Sequence, residues 1–461
     1  MPESRDGIIP RGLLAKPVAR RQFLAYGGST AALLALAGCS ASAADTKEKL
    51  TFTMWGTGNE KTAVSSVVNS FAKAHKLTGN PESFPDNYET KLNTLLAGNS
   101  APDAGYLTEG MAMRLGSQGV LYNALENDAF KQFLPTALHY YAPDKAVSQT
   151  CVEATALWYD EDAIKEAGVT VPATAANVWN WDQFVAAADK LTVDQSGKHP
   201  SDSGFNPNAV ARYGTTVPYL IRPLVGLMKS AGVELFDESG TKALFDTDGA
   251  IQVMQQLSDL IFKHHVAPNA AQTNQFGAST GLQLASKKVA MAVDGQWALL
   301  DLNAAKKNGL KFNVGVVPGF GQGAWTVQLS GANGVFNKSN NKDTALELLL
   351  ALADPSKVSL YSDGLWMPPQ AKYYTDEKLA ASWMDNENHP SNYKTAVADM
   401  AMKNAVAFPS YKLKNFSAID AAVGGTLTSM FTKQVDMPTA CKQLAATITK
   451  LMQGTYQDSA N

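Results

Sequence analysis

From Leu50 onward the apolar positions switch repeatedly between β-prone runs and helical spacing. Leu50-Thr51-Phe52-Thr53-Met54-Trp55 is apolar and β-prone and stops at Gly56-Thr57-Gly58, which predicts a strand running into a loop. Ala63, Val64, Val67, Val68 and Phe71 then recur at helical spacing, so residues 60–75 are predicted as an amphipathic helix. The same reasoning predicts helices over 88–96, 181–191, 251–262 and 344–353, the last stopped by Pro355. Strands are predicted over 152–159, 288–293, 312–317 and 334–337. A final helix opens near Pro438, a favoured first-turn residue, with Leu444, Ile448, Leu451 and Met452 on one stripe. Such alternation predicts α/β layers with mostly parallel sheets. No repeat and no Pro- or Ser-rich linker divides the chain, so two lobes are expected with the chain crossing between them more than once.

Composition narrows the class. The 461 residues at 49.2 kDa exceed one compact core and suggest two or three domains. Hydrophobic residues at 45% and charged residues at 18% point to a folded chain rather than a disordered one. A net charge of −3 argues against nucleic acid as a partner, which calls for a basic surplus. Three cysteines are too few for a disulfide-dense scaffold or a Cys₄ zinc site. No cofactor or metal is expected.

The N-terminus carries a different message. Arg5, Arg11, Lys16, Arg20 and Arg21 outweigh Glu3 and Asp6, and Arg20-Arg21-Gln22-Phe23-Leu24 resembles a twin-arginine export signal. A short apolar segment of small residues follows and ends in Leu36-Ala37-Gly38-Cys39, which resembles a bacterial lipobox with Cys39 as the lipidated residue. Residues 1–38 then form a signal peptide and 39–49 a small, polar tether. Cleavage takes five basic and two acidic residues with it and shifts the net charge from −3 to −6. The expected anchor is therefore lipid rather than a basic surface patch. Cys151 and Cys441 remain in the mature chain, either as a disulfide or as two free thiols.

The order of the remaining landmarks carries a resemblance to a family. These are Trp55 at the end of the first strand, Tyr88-x-x-Lys91-Leu92-x-x-Leu95-Leu96-Ala97-Gly98-x-x-Ala101-Pro102-Asp103, Gly119-Val120-Leu121 and Ala156-Leu157-Trp158-Tyr159-Asp160. Trp181-Asp182-Gln183-Phe184, Lys288-Val289-Ala290-Met291 and Asp294-Gly295-Gln296-Trp297 follow. Together they resemble an extracellular solute-binding protein of a sugar ABC importer, of the maltose-binding type. Asp160 stands where that family usually has Asn. The resemblance implies an α/β, two-lobed fold of the periplasmic-binding-protein type II, with the ligand cleft between lobes that close on it. It places the N-lobe at 50–152 plus 332–360, the C-lobe at 153–318 plus 366–461, and crossing segments at 319–331 and 361–365. It also implies a monomer that captures a carbohydrate and delivers it to ABC permease subunits in the membrane.

Sugars present hydroxyls at their edges and apolar C–H patches on their faces, so carboxylates, amides and aromatic rings are the expected contacts. By position in the family pattern, the candidates are Asn59 and Glu60 after the first strand, Glu109, Glu153, Trp297, Gly331 and Trp366. Trp55, Trp158 and Trp181 read as packing residues.

Enzyme signatures lack their context. Gly277-Ala278-Ser279-Thr280-Gly281 matches the nucleophile-elbow pattern but has no strand before it. Gly319-Phe320-Gly321-Gln322-Gly323 has glycine-loop spacing but no helix opening after it. A secreted glycosidase is the enzymatic alternative. Tyr140-Tyr141 and Tyr373-Tyr374 keep a ferric-ion receptor open, and polyols or peptides are other solutes to weigh.

Overall fold

The computed structural model describes residues 48–456. The export signal, Cys39 and most of the tether lie outside them. No helix among the described residues is long and apolar enough to cross a membrane.

Two sheets organise the chain. The first has six strands in the order Thr78–Ser83, Lys49–Met54, Ala104–Leu107, Ala332–Val335, Lys145–Ser148 and Leu138–Ala142. The second runs Phe312–Gly315, Glu153–Asp160, Thr326–Leu329 and Ala405–Ala407, with Met291–Gly295 also pairing with Glu153–Asp160. Helix Gly58–Ala74 follows the first strand and buries Val64, Val67, Val68 and Ala72, the apolar stripe its sequence spells out.

The expectation of mostly parallel sheets is corrected. Lys49–Met54 pairs in parallel with both of its neighbours, and Thr326–Leu329 with Ala405–Ala407. Most other pairings are antiparallel. The cause is topological. Ala332–Val335 joins the first sheet only after the chain has built most of the second, and it arrives running the other way. Parallel crossovers need strand and helix to stay within one sheet, and here the chain leaves and comes back.

Strand Glu153–Asp160 is the spine of the second sheet. Ala154, Ala156 and Trp158 enter one buried cluster, and Leu157 and Tyr159 enter the other. A strand covered on both faces has no polar face to reveal, which is why its sequence reads as a continuous apolar run. Trp158 is fully buried, donates its indole N–H to the Gly295 carbonyl at 3.1 Å, and meets Phe312 edge-on at 6.3 Å. Asp160 ends the strand. Its carboxylate accepts from the Asp162 N–H, capping helix Glu161–Glu166, and pairs with Lys287 at 2.8 Å.

Three passages link the sheets, and they lie side by side. The first runs through 149–152 and the second is only Ser330–Gly331, between strands Thr326–Leu329 and Ala332–Val335. The Cys151 thiol and Ser330 hydroxyl are 2.9 Å apart. The third passage returns past Tyr361 and Trp366, and Met367 exchanges backbone hydrogen bonds with Val152 at 2.7 and 3.3 Å. Residues 319–325 stay with the second sheet's layer: Phe320 stacks on Trp181 at 4.2 Å and its N–H bonds Ser230.

Candidate binding cavity at the crossings

A cavity of about 210 Å³ opens where the three passages meet. The passages supply Thr150, Cys151, Glu153, Gly331, Leu365 and Trp366, with Ala332 and Asn333 from the returning strand. The first sheet's side adds Trp55, Glu60 and Tyr106, and the second's adds Trp297.

Each wall has a local cause. Trp55 ends the first strand, and its ring meets Tyr106 at 4.7 Å and Tyr88 at 5.4 Å, both edge to face. Trp366 extends that wall, with its ring 6.3 Å from Tyr106. Gly331 lets this wall come close: a Cβ there would sit 3.3 Å from the Trp55 ring. Trp297 follows strand Met291–Gly295 after Gln296, and its indole folds back over Gly295, where any side chain would collide with the ring. The turn is pinned by Gln296, whose backbone N–H donates to the Ala154 carbonyl at 2.7 Å and whose amide donates to the Leu365 carbonyl at 2.8 Å. The Tyr361 hydroxyl ties the third passage down through the Leu352 carbonyl at 3.0 Å and the Thr150 carbonyl.

The polar groups are held ready rather than consumed. Asn333 is 1% exposed, yet neither atom of its amide has a hydrogen-bond partner among the described residues. Buried polar atoms are ordinarily satisfied, so the Asn333 amide keeps its donors and acceptor free at the cavity wall. Burial pushes Glu153 up to about 8, with the charges of Glu109 and Glu60 adding to the effect and Arg222 opposing it. Burial also raises Glu60, against the nearby Tyr106 hydroxyl.

Of the residues singled out by sequence, Glu60, Glu153, Trp297, Gly331 and Trp366 meet in this cavity. Asn59 is exposed in the first turn of helix Gly58–Ala74 and does not line it. Helical geometry explains the split, since adjacent residues point about 100° apart. Glu109 is buried and does not line the cavity; it feels the charge of Arg222, which is itself paired with Asp420 at 3.2 Å. Burial raises the Glu109 carboxyl, opposed first by that guanidinium.

Sequence reasoning missed Tyr106 and Asn333, and it read Trp55 as packing. Trp55 does pack against the core, but it also lines the cavity. The available signal for Asn333 was a lone amide within the apolar run Ala332-Asn333-Gly334-Val335.

Other sequence features fall elsewhere. Ser279 caps helix Thr280–Ala285, and Gly277 ends helix Ala270–Phe276, so the elbow-like motif joins two helices. Neither tyrosine pair lines the cavity. Cys151 and Cys441 are free, buried thiols.

Residues 66–391 match the profile of the family described as bacterial extracellular solute-binding protein. The chain belongs to that family. An arabinooligosaccharide-binding protein of Halalkalibacterium halodurans is 30% identical over 203 residues, covering 42% of this chain and 40% of that protein. This solute-binding protein also shares its fold with solved structures. One is an ABC substrate-binding protein of Listeria monocytogenes in complex with cycloalternan, with a TM-score of 0.71 and 20% identity over 88% of this chain and 98% of that one. Another is the GacH receptor of Streptomyces glaucescens, solved unliganded and with acarbose, with a TM-score of 0.69 and 19% identity over 88% and 98% of the two chains. The likeness places the chain among two-lobed type II binding proteins, as expected.

Proposed function

We propose that the protein is the sugar-capturing component of a bacterial ABC importer. It binds a saccharide between lobes comprising 50–152 plus 332–360 and 153–318 plus 366–461, and hands it to the permease subunits. The observation that carries this reading is the cavity at the crossings, where Trp55, Trp297, Trp366 and Tyr106 stand around two carboxylates and an unpartnered amide. Aromatic faces suit the apolar face of a pyranose, and the polar groups suit its hydroxyls. Placing the ligand against all three passages couples binding to lobe closure, because ligand contacts on both sides favour the closed arrangement. The relatives include an arabinooligosaccharide-binding protein and proteins solved with cycloalternan and with acarbose, which supports a saccharide as the class. In this reading the chain is exported through its twin-arginine signal and held at the outer face of the cell membrane by lipid on Cys39. It acts as a monomer without enzymatic activity.

A thermal-shift screen over mono- and oligosaccharides tests the ligand class. A sugar at 100 times its Kd raises stability by about 2.7 kcal/mol and is recovered intact. No shift with any sugar, or cleavage of the sugar, refutes the reading. For the anchor, Cys39→Ser should release the protein into the medium or leave unprocessed precursor. Unchanged processing and retention would refute lipidation.

A further inference from the structure

Away from the sugar cavity, one side chain of the second sheet's layer is seated in the first sheet's layer. Strand Ala405–Ala407 edges the second sheet, and the turn Pro409–Tyr411 follows it. Every hydrogen-bond partner of the Tyr411 hydroxyl lies on the first sheet's side. The hydroxyl donates to the Thr136 carbonyl at 2.8 Å and accepts from the Gln149 amide at 2.9 Å. The ring stacks on the His139 imidazole, with centroids 4.4 Å apart and 16° between the planes. His139 belongs to strand Leu138–Ala142, and Gln149 opens the first passage, two residues before Cys151. Farther along the same segment, Ser417 lies against Gly110, where a Cβ would come within 3.0 Å of its hydroxyl. Tyr411, His139 and Gln149 do not line the sugar cavity.

This contact has two opposing sides. The hydrogen bonds and the stacked ring favour the seated arrangement. Against them, His139 Nε2, Gln149 Oε1 and the Ser410 hydroxyl are buried without a hydrogen-bond partner among the described residues, and burying unpaired polar atoms is costly. Drawing Tyr411 out would give up the bonds and let water reach Gln149 and His139. An element that gains bonds in one state and hydration in the other is balanced between the two, so a ligand with modest preference for one state can shift it. We infer that Tyr411 is a positioning residue for sugar capture, a clasp seated among Thr136, His139 and Gln149 that holds the lobes closed without touching the ligand. The role in capture rests on the function proposed above. A tyrosine that only packs would add stability and leave the balance of open and closed lobes alone.

The test pairs small-angle X-ray scattering of the ligand-free protein with calorimetric titration of acarbose, cycloalternan and an arabinooligosaccharide. Tyr411→Phe keeps the ring and its stacking and deletes the hydroxyl. It should raise the ligand-free radius of gyration and weaken whichever sugar binds by about three- to tenfold, the scale of one net hydrogen bond. Gln149→Met removes the same bond from the other side and should act in the same direction, and it carries the test if Tyr411→Phe does not fold. Melting curves establish that each variant is folded. If both variants lower the melting point and leave the ligand-free radius unchanged, Tyr411 only packs and the inference is overturned. A raised radius with unchanged affinity overturns it too, since the clasp would then play no part in capture. If none of the three sugars binds the unsubstituted protein, the sugar-capture reading loses its support, while the ligand-free radius still decides whether Tyr411 clasps the lobes.

Discussion

Two tryptophans meet the strand-end Gly295 in different ways. Trp158 is fully enclosed, and its indole N–H is bonded to the Gly295 carbonyl at 3.1 Å. Trp297, two residues beyond Gly295, folds over that same glycine from the cavity side and stays half-buried. Trp55 combines both features, packing edge to face with Tyr106 and Tyr88 and lining the cavity. The residue type is the same in all three. What separates core from platform is whether the ring is sealed by neighbours and its polar edge already satisfied. A sealed indole holds the fold, and an unsealed one leaves a ring face open to the cavity.

The largest expected effect is on the sealed member. Trp158→Ala should cost about 3–5 kcal/mol of folding stability from the cavity it leaves, equally with and without sugar, as read by denaturant melts. A small loss would break the comparison at its core end.

Trp297→Ala is the counterpart. It should weaken sugar binding by about 1–3 kcal/mol, the loss of a well-packed anchor, with the unliganded melting point nearly unchanged. Unchanged affinity with a collapsed melting point would make Trp297 core and reverse its assignment. Gly295→Ala sharpens the point without touching the indole's chemistry. The new methyl displaces the ring, so affinity should fall in the same direction while Trp297 remains present.

Glu153 gives a pH signature. Its carboxyl is raised from 4.5 to about 8 in the fold, so between those values the unfolded chain binds fewer protons than the native one. Stability of the unliganded protein should therefore fall as pH rises from about 4.5 to 8, then level off. Glu60 and Glu109 are shifted the same way. Glu153→Gln should flatten the slope, and an unchanged slope in that variant would exclude Glu153 as its source.

The smallest effect concerns the thiols. Two modifiable cysteines should be counted in denaturant and essentially none in the native state, since Cys151 and Cys441 are buried and free and burial raises both thiols. No modification in denaturant would mean a disulfide instead.

The sequence by itself determined the class of fold and much of the cavity. Helix Gly58–Ala74, helix Trp181–Leu191 and strand Glu153–Asp160 follow from local periodicity, because one buried stripe or one continuous apolar run suffices to specify them. Glu60, Glu153, Trp297, Gly331 and Trp366 were reachable because family landmarks place them at strand ends and crossings. Three things only the tertiary structure decided. Strand direction depends on which lobe the chain returns from, a long-range fact that no local pattern encodes. The separation of Asn59 and Glu109 from the cavity depends on which way a helix's first turn faces. The places of Trp55, Tyr106 and Asn333 in the cavity wall depend on how closely distant segments approach, since a ring or amide lines a cavity only when its neighbours leave one side open.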